Sequence, residues 1–318
     1  MAAFLRQGAL AFAVLLSSSP VLAAPRGETP TIQARFAHSD GVIVVAHRGC
    51  HNPAPKHGLG AAPENSLSAL EHCVAIGADV METDVLRTAD GHLVMIHDDS
   101  VDRTTDGTGR VATLSLAQLR ALRLRQNLGG AAAPLTDEHI VTLDEMLAAA
   151  RGRILLNLDI KAAIYPEVID AVVRAGAQDR VFIKTEVGIA TPPLAGLTPY
   201  DRVPFMPILL NAGGKADLAA ILERQLGGKR PLGAELPHMR LEQLHDVAAV
   251  ARRNGLRLLI NTLFEGFVAG PYSDVDALRD PAAVWGRLLA EGVTVFQTDE
   301  PEALLAFRAT LPPRKARR

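Results

Sequence analysis

The sequence predicts a (β/α)8 barrel with a β-hairpin excursion after its second strand, and three observations predict it. Short β-branched apolar runs alternate with helical segments, as a parallel sheet covered by helices requires. Nine such runs occur, and one belongs to a hairpin, which leaves eight able to pair in parallel. The residues suited to chemistry sit at the tails of these runs, where parallel α/β barrels keep their active sites.

The chain has 318 residues, of which 48 % are apolar, enough to fill one large α/β core. A formal charge of −2, from 33 basic and 35 acidic residues, carries no nucleic-acid footprint. The N-terminus reads as an export signal over residues 1–24: Arg6 is the positive region, 8–16 the apolar stretch and Val21-Leu22-Ala23 the small-residue cleavage site. That stretch is shorter than the ~20 residues of a membrane span. The expected product is periplasmic or secreted, with no stable membrane insertion once the signal is removed. A polar linker is expected over 25–40, a barrel domain over 41–312 and a solvated basic tail over 313–318. Oligomeric state has no signature in the sequence.

Strands are predicted at 42–46, 79–85, 92–97, 153–159, 180–185, 204–210, 232–236, 256–262 and 293–298. Helices are predicted at 65–77, 115–123, 142–151, 165–176, 215–226, 241–254, 281–291 and 301–309. Leu67, Leu70, Val74 and Ile76 form one apolar stripe, and Leu241, Leu244, Val247 and Val250 another. Thr142 before Leu143-Asp144-Glu145 has capping-box spacing. Runs 79–85 and 92–97 are too close for a parallel crossover, so they must be antiparallel around Asp90-Gly91. No dinucleotide glycine fingerprint follows the first strand, which removes the main support for an open doubly wound sheet. Long loops at 50–62, 98–141 and 187–203 depart from clean βα units, and such loops cover barrel mouths. The two cysteines, Cys50 and Cys73, fall near one end of one βα unit; pairing and separate burial both fit the sequence.

With Asp90-Gly91 as a two-residue turn, facing residues sum to 181, and Asp84 is expected opposite His97 with Glu82 on the same face. Carboxylates two apart on an otherwise apolar strand suit a hard divalent cation, and Asp159 ends another strand beside Lys161. His47 ends the first strand, so two imidazoles that titrate near neutrality are aimed at one mouth. Arg48 and Lys161 add fixed positive charge. A cation, two bases and two cationic side chains are built for phosphoryl chemistry. The absence of a glycine-rich phosphate cradle excludes P-loop nucleotide hydrolysis.

His47-Arg48-Gly49, Pro63-Glu64-Asn65-Ser66, Glu82-Thr83-Asp84-Val85, His97-Asp98 with 102–107, Leu156-Asn157-Leu158-Asp159-Ile160-Lys161 and Thr298-Asp299-Glu300-Pro301 together resemble the glycerophosphodiester phosphodiesterase family. The resemblance implies a (β/α)8 barrel with one Ca²⁺ or Mg²⁺ ion and a small-molecule phosphodiester substrate. It implies that Glu82, Asp84 and Asp159 hold the ion and that His47 and His97 do the acid–base work. Arg48 and Lys161 would hold the phosphate, Glu64 would support these groups, and Asn261 would line the substrate site. The implied reaction is attack by the substrate's glycerol 2-hydroxyl, then opening of the cyclic phosphate by water. Its products are an alcohol and glycerol 3-phosphate. Three features depart from the family: Asp159 replaces a glutamate, the loop after Gly49 is longer, and Asn261 replaces a strand tryptophan. Asn261 points to a more polar headgroup. Two other readings share the barrel: a phospholipase D acting on lysophospholipid or sphingomyelin, and an inactive periplasmic binding protein. The retained histidines and acids oppose the second, and an aromatic content of 4 % opposes the first.

Overall fold

The computed structural model describes residues 29–37 and 41–312; the expected export signal, part of the expected linker and the basic tail lie outside these residues. Nine strands form one sheet: β1 (Ile43–Ala46), β2 (Val80–Arg87), β3 (Leu93–Met95), β4 (Leu155–Ile160), β5 (Val181–Val187), β6 (Phe205–Leu209), β7 (Gly233–Glu235), β8 (Arg257–Asn261) and β9 (Val295–Thr298). Neighbours run β1-β9-β8-β7-β6-β5-β4-β2, and β1 also pairs with β2, so eight parallel strands close into a barrel. β3 hangs antiparallel on β2 outside that ring. The predicted architecture is the observed one.

Helices α1 (Ile32–Ala37), α2 (Leu67–Ile76), α3 (Leu116–Arg120), α4 (Leu143–Ala150), α5 (Tyr165–Arg174), α6 (Leu218–Gln225), α7 (Leu241–Arg253), α8 (Asp274–Arg279), α9 (Arg287–Glu291) and α10 (Pro301–Thr310) complete the fold. Thr142 and Glu145 form the expected capping box on α4. No α-helix joins β5 to β6; two short 3₁₀ turns occupy the proline-rich stretch, because Pro192, Pro193 and Pro199 lack the N–H groups a continuous helix needs. Part of the expected linker is instead α1. Its buried Ile32 and Phe36 pack against the inward side chains Ile43, Val45, Val80, Leu155, Phe182, Met206, Leu259 and Val295. It thereby plugs the N-terminal end of the barrel, each large side chain contributing about 1.5–3 kcal/mol by leaving water.

Strand alternation sorts the interior into layers. Below Phe182, Leu259 and their apolar neighbours the barrel is sealed by α1; toward the strand tails the inward positions turn polar, with Glu82, Asn157, Lys184, Glu235, Asn261 and Gln297 all buried. This change from apolar to polar along each strand places the chemistry at the C-terminal mouth.

The hairpin departs from the expected register. Observed partners are Val85 with Met95, Leu86 with Val94 and Arg87 with Leu93, so facing residues sum to 180 rather than 181. The cause is a three-residue loop, Ala89-Asp90-Gly91, closed by the Thr88 N–H donating to His92 O at 2.9 Å, with Gly91 at φ 88°. A type I turn followed by a left-handed glycine adds one residue over a two-residue turn. Asp84 therefore lies opposite Ile96, whose N–H donates to Asp84 O at 3.1 Å. His97 falls two residues beyond the end of β3.

Cys50 and Cys73 are bonded, tying the loop after β1 to α2.

Candidate active site

The loop after β1 is shaped by close packing. A Cβ on Gly49 would lie 2.7 Å from Ala69 Cβ, and its φ of 84° suits glycine alone. Arg48 before it also takes a positive φ, 51°, a strained state that its surroundings must hold. They do so at both ends of the residue. Its N–H donates to Glu82 Oε2 at 2.7 Å, and its carbonyl accepts the Asn65 N–H at 2.9 Å.

The Pro63-Glu64-Asn65-Ser66 segment then assigns one task per residue. Glu64 is buried and accepts from Arg48 Nη1 at 3.2 Å and from both Arg103 terminal nitrogens at 2.7 and 2.8 Å. Asn65 Nδ2 donates to Asp84 Oδ2 at 2.9 Å, while Asn65 Oδ1 accepts from Thr83 Oγ1 and from the Asp84 N–H. Ser66 caps α2 by accepting the Ala69 N–H. Glu64 thus pairs with both Arg48 and Arg103.

Glu82 and Asp84 point inward from β2, and Asp159 lies beside Asp84 on β4. One oxygen from each of the three lies within 4.8 Å of the others. Lys161 Nζ is 3.0 Å from both Asp84 Oδ1 and Asp159 Oδ2. It is off-axis for a hydrogen bond to Asp84, whose buried Oδ1 has none. Burial and the neighbouring Asp84 charge push Glu82 well above the usual carboxylate range. Burial pushes Asp84 the same way, but Lys161, His97 and Arg48 outweigh it and hold Asp84 down to about 2. Asp159 is also lowered, with Lys184 and Lys161 overcoming its burial. Three converging oxygen donors, one with no hydrogen bond and one carboxylate unable to ionise comfortably, fit a hard divalent cation.

His47 Nδ1–H donates to Asp299 Oδ1 at 2.8 Å, and Arg48 Nε–H donates to His47 Nε2 at 3.2 Å. His97 Nδ1–H donates to Asp98 Oδ1 at 2.7 Å, and Arg103 in turn holds Asp98. Each imidazole is therefore fixed through Nδ1 by its own carboxylate. His97 lies close enough for its charge to act on Asp84 despite the shifted hairpin, because the chain leaves the ladder before residue 97. The expected residues Glu82, Asp84, Asp159, His47, His97, Arg48 and Lys161 come together around one mouth.

Asn261 faces inward but lies deep, its Nδ2 donating to Glu235 Oε1 at 2.8 Å and its Oδ1 buried without a partner. Lys184 Nζ donates to the other Glu235 oxygen at 2.8 Å and reaches within 3.7 Å of Asp159. Sequence reasoning gave no role to Lys184, Glu235, His51, Asp98, Arg103 or Asp299. Lys184 had a signal: it shares the inward period of Phe182 on an apolar strand. His51 had none, since it lies in a loop.

A model of the glycerophosphoryl diester phosphodiesterase family matches residues 47–197, and a second, described as a domain of unknown function, matches 205–308. A glycerophosphodiester phosphodiesterase of Caldanaerobacter subterraneus is 35 % identical over 270 residues, covering 83 % of this chain and 96 % of that protein. Human glycerophosphodiester phosphodiesterase 1 is 40 % identical over 115 residues, or 34 % of this chain and 30 % of its own length. Among solved structures, a glycerophosphoryl diester phosphodiesterase from Parabacteroides distasonis superposes with a TM-score of 0.70 at 19 % identity, covering 91 % of this chain and 95 % of that one. A phosphodiesterase from Oleispira antarctica in complex with the product sn-glycerol-3-phosphate superposes with a TM-score of 0.59 at 21 % identity, covering 86 % and 98 %.

Proposed function

Because this chain belongs to the glycerophosphoryl diester phosphodiesterase family and is a phosphoric diester hydrolase, we propose the following division of labour in its hydrolysis of glycerophosphodiesters. His47 and His97 move the protons, Glu82, Asp84 and Asp159 hold one Ca²⁺ or Mg²⁺ ion, and Arg48 and Lys161 bind the phosphate. The observation that carries this reading is the convergence of three carboxylates within 4.8 Å beside two imidazoles, each pinned by an acid.

Glu82, Asp84 and Asp159 would hold the divalent ion, which would supply positive charge to neutralise and polarise the phosphoryl group. Arg48 presents its guanidinium between Glu64 and Asp84, so the bound phosphate meets a donor whose position is fixed from behind. His47 keeps its proton on Nδ1 and offers the Nε2 lone pair, which suits it to accept a proton from the substrate's 2-hydroxyl as that oxygen attacks phosphorus. His97 donates a proton to the departing alcohol. Water then opens the cyclic phosphate with the two roles exchanged, giving glycerol 3-phosphate. The Oleispira complex with that product supports this outcome by analogy.

We also propose export to an oxidising compartment, supported by the signal-like N-terminus and the Cys50–Cys73 bond. The test is a screen of the purified mature protein against glycerophosphodiesters differing only in the alcohol. Release of glycerol 3-phosphate from at least one is expected; binding without turnover across the panel would contradict the assignment.

A further inference from the structure

Asp299 Oδ1 meets two imidazoles at once: His47 Nδ1 at 2.8 Å and His51 Nε2 at 2.9 Å. His51 is 1 % exposed, and its other ring nitrogen, Nδ1, lies 2.8 Å from Asn127 Oδ1. The orientation of that amide is dictated by its neighbours. Asn52 Nδ2 donates to the Asp299 carbonyl at 3.0 Å and to Glu300 Oε1 at 2.8 Å. Asn52 must therefore turn Oδ1 toward Asn127 and accept its Nδ2–H, at 2.9 Å. Asn127 is left with Oδ1 facing both the Leu128 N–H, at 2.8 Å, and His51. Turning this amide over would set donor against donor at Leu128 and acceptor against acceptor at Asn52. Both nitrogens of His51 consequently face acceptors, whereas a neutral imidazole carries only one N–H.

We infer that His51 is a buried imidazolium that neutralises Asp299 and thereby keeps His47 in the neutral form its role as base requires. This inference rests on the catalytic reading of His47 given above. A carboxylate hydrogen-bonded to an imidazole normally stabilises the protonated ring. Asp299 alone would fix the His47 tautomer but would also draw a second proton onto Nε2. With a cation on the same carboxylate oxygen, Asp299 still orients His47 while much of its field there is cancelled. The other charged groups around the pair are Arg48, which faces His47 from the same loop, Asp84 on β2, Glu300 beyond β9, and the buried Asp274 of α8, which accepts the Asp299 N–H at 2.8 Å and which burial pushes up to about 6. Asp299 itself is ionised: burial pushes it up, but its bonds to the two imidazoles hold it below the usual carboxylate range. His51 is accordingly a positioning residue, carried on the loop after Gly49.

The test pairs histidine-selective ¹⁵N NMR of the whole protein with the pH profile of kcat/KM. In the wild type near neutral pH, one buried histidine should show protonated shifts at both ring nitrogens, and His51→Gln should remove that signal. The same variant should move the acid limb of kcat/KM up by about one pH unit, since Asp299 then acts on His47 unopposed. A singly protonated His51 in the wild type overturns the inference, and so does an unmoved limb in folded His51→Gln. Should that variant fail to fold, the wild-type spectrum decides alone. Normal turnover by His47→Ala would instead overturn the catalytic reading on which the positioning role depends, and leaves the charge of His51 readable in the same spectrum.

Discussion

Arg48 donates its Nε–H to the Nε2 of His47 at 3.2 Å. The nitrogen assigned to proton transfer is thus already engaged by the side chain assigned to the phosphate. On the proposed assignment, a phosphate taking up the Arg48 guanidinium would release that lone pair, coupling arrival of the substrate to exposure of the base.

Loss of either imidazole should stop this chemistry while leaving the barrel standing. His47→Ala and His97→Ala should each lower kcat by roughly 10²–10⁴-fold, the usual contribution of a positioned acid or base. Steady-state kinetics beside far-UV circular dichroism checks this, and a variant with normal kcat loses its assignment.

Acidity should act through His47. Burial lowers its imidazole below the ordinary 6.5, although Asp299 pulls the other way. A base works in its neutral form, so kcat/KM should hold down to a pH below 6.5 and fall only beneath that. Stability follows the same sign: below 6.5 the unfolded chain takes up a proton that the folded protein resists, so this group destabilises the fold as the pH drops toward its folded pKa. An acid limb centred above 6.5 would contradict the assignment.

Much of this was legible before any coordinates, and the exceptions have physical causes. The eight barrel strands and the hairpin follow from run length and spacing, which local sequence carries. The hairpin register does not, because a left-handed Gly91 can close a two- or a three-residue loop and only the ladder shows which. α1 is hidden because a six-residue helix has too few turns for a periodic signal, and its worth lies in the barrel end it plugs. The three converging acids and the two acid-pinned histidines are readable at strand tails. Asp299 is readable as part of a motif, but its bond to His47 spans 252 residues and depends on barrel closure. His51 becomes meaningful only when Asn52 and Asn127 fix the amide beside it.

Glu64 is the shared counter-ion of Arg48 and Arg103. Glu64→Gln should leave two guanidiniums short of charge and cost about 3 kcal/mol of stability, as breaking a buried pair does. Urea unfolding measures this; a cost under about 1 kcal/mol would show that solvent compensates both arginines.

Asp159 is the acid most open to the mouth, with its side chain 25 % exposed. Asp159→Asn should weaken Ca²⁺ and Mg²⁺ binding at least about tenfold by removing a charged oxygen ligand. Isothermal titration calorimetry reads this without reference to turnover. Unchanged affinity would place the ion elsewhere.

The most direct measurement is the rate of glycerol 3-phosphate release by chelator-stripped protein, before and after Ca²⁺ or Mg²⁺ is returned. Background release without the ion and recovery with it is the predicted result. A full rate in excess chelator would contradict the account, because Glu82, Asp84 and Asp159 would then be packed together for some purpose other than holding a cation beside the phosphate.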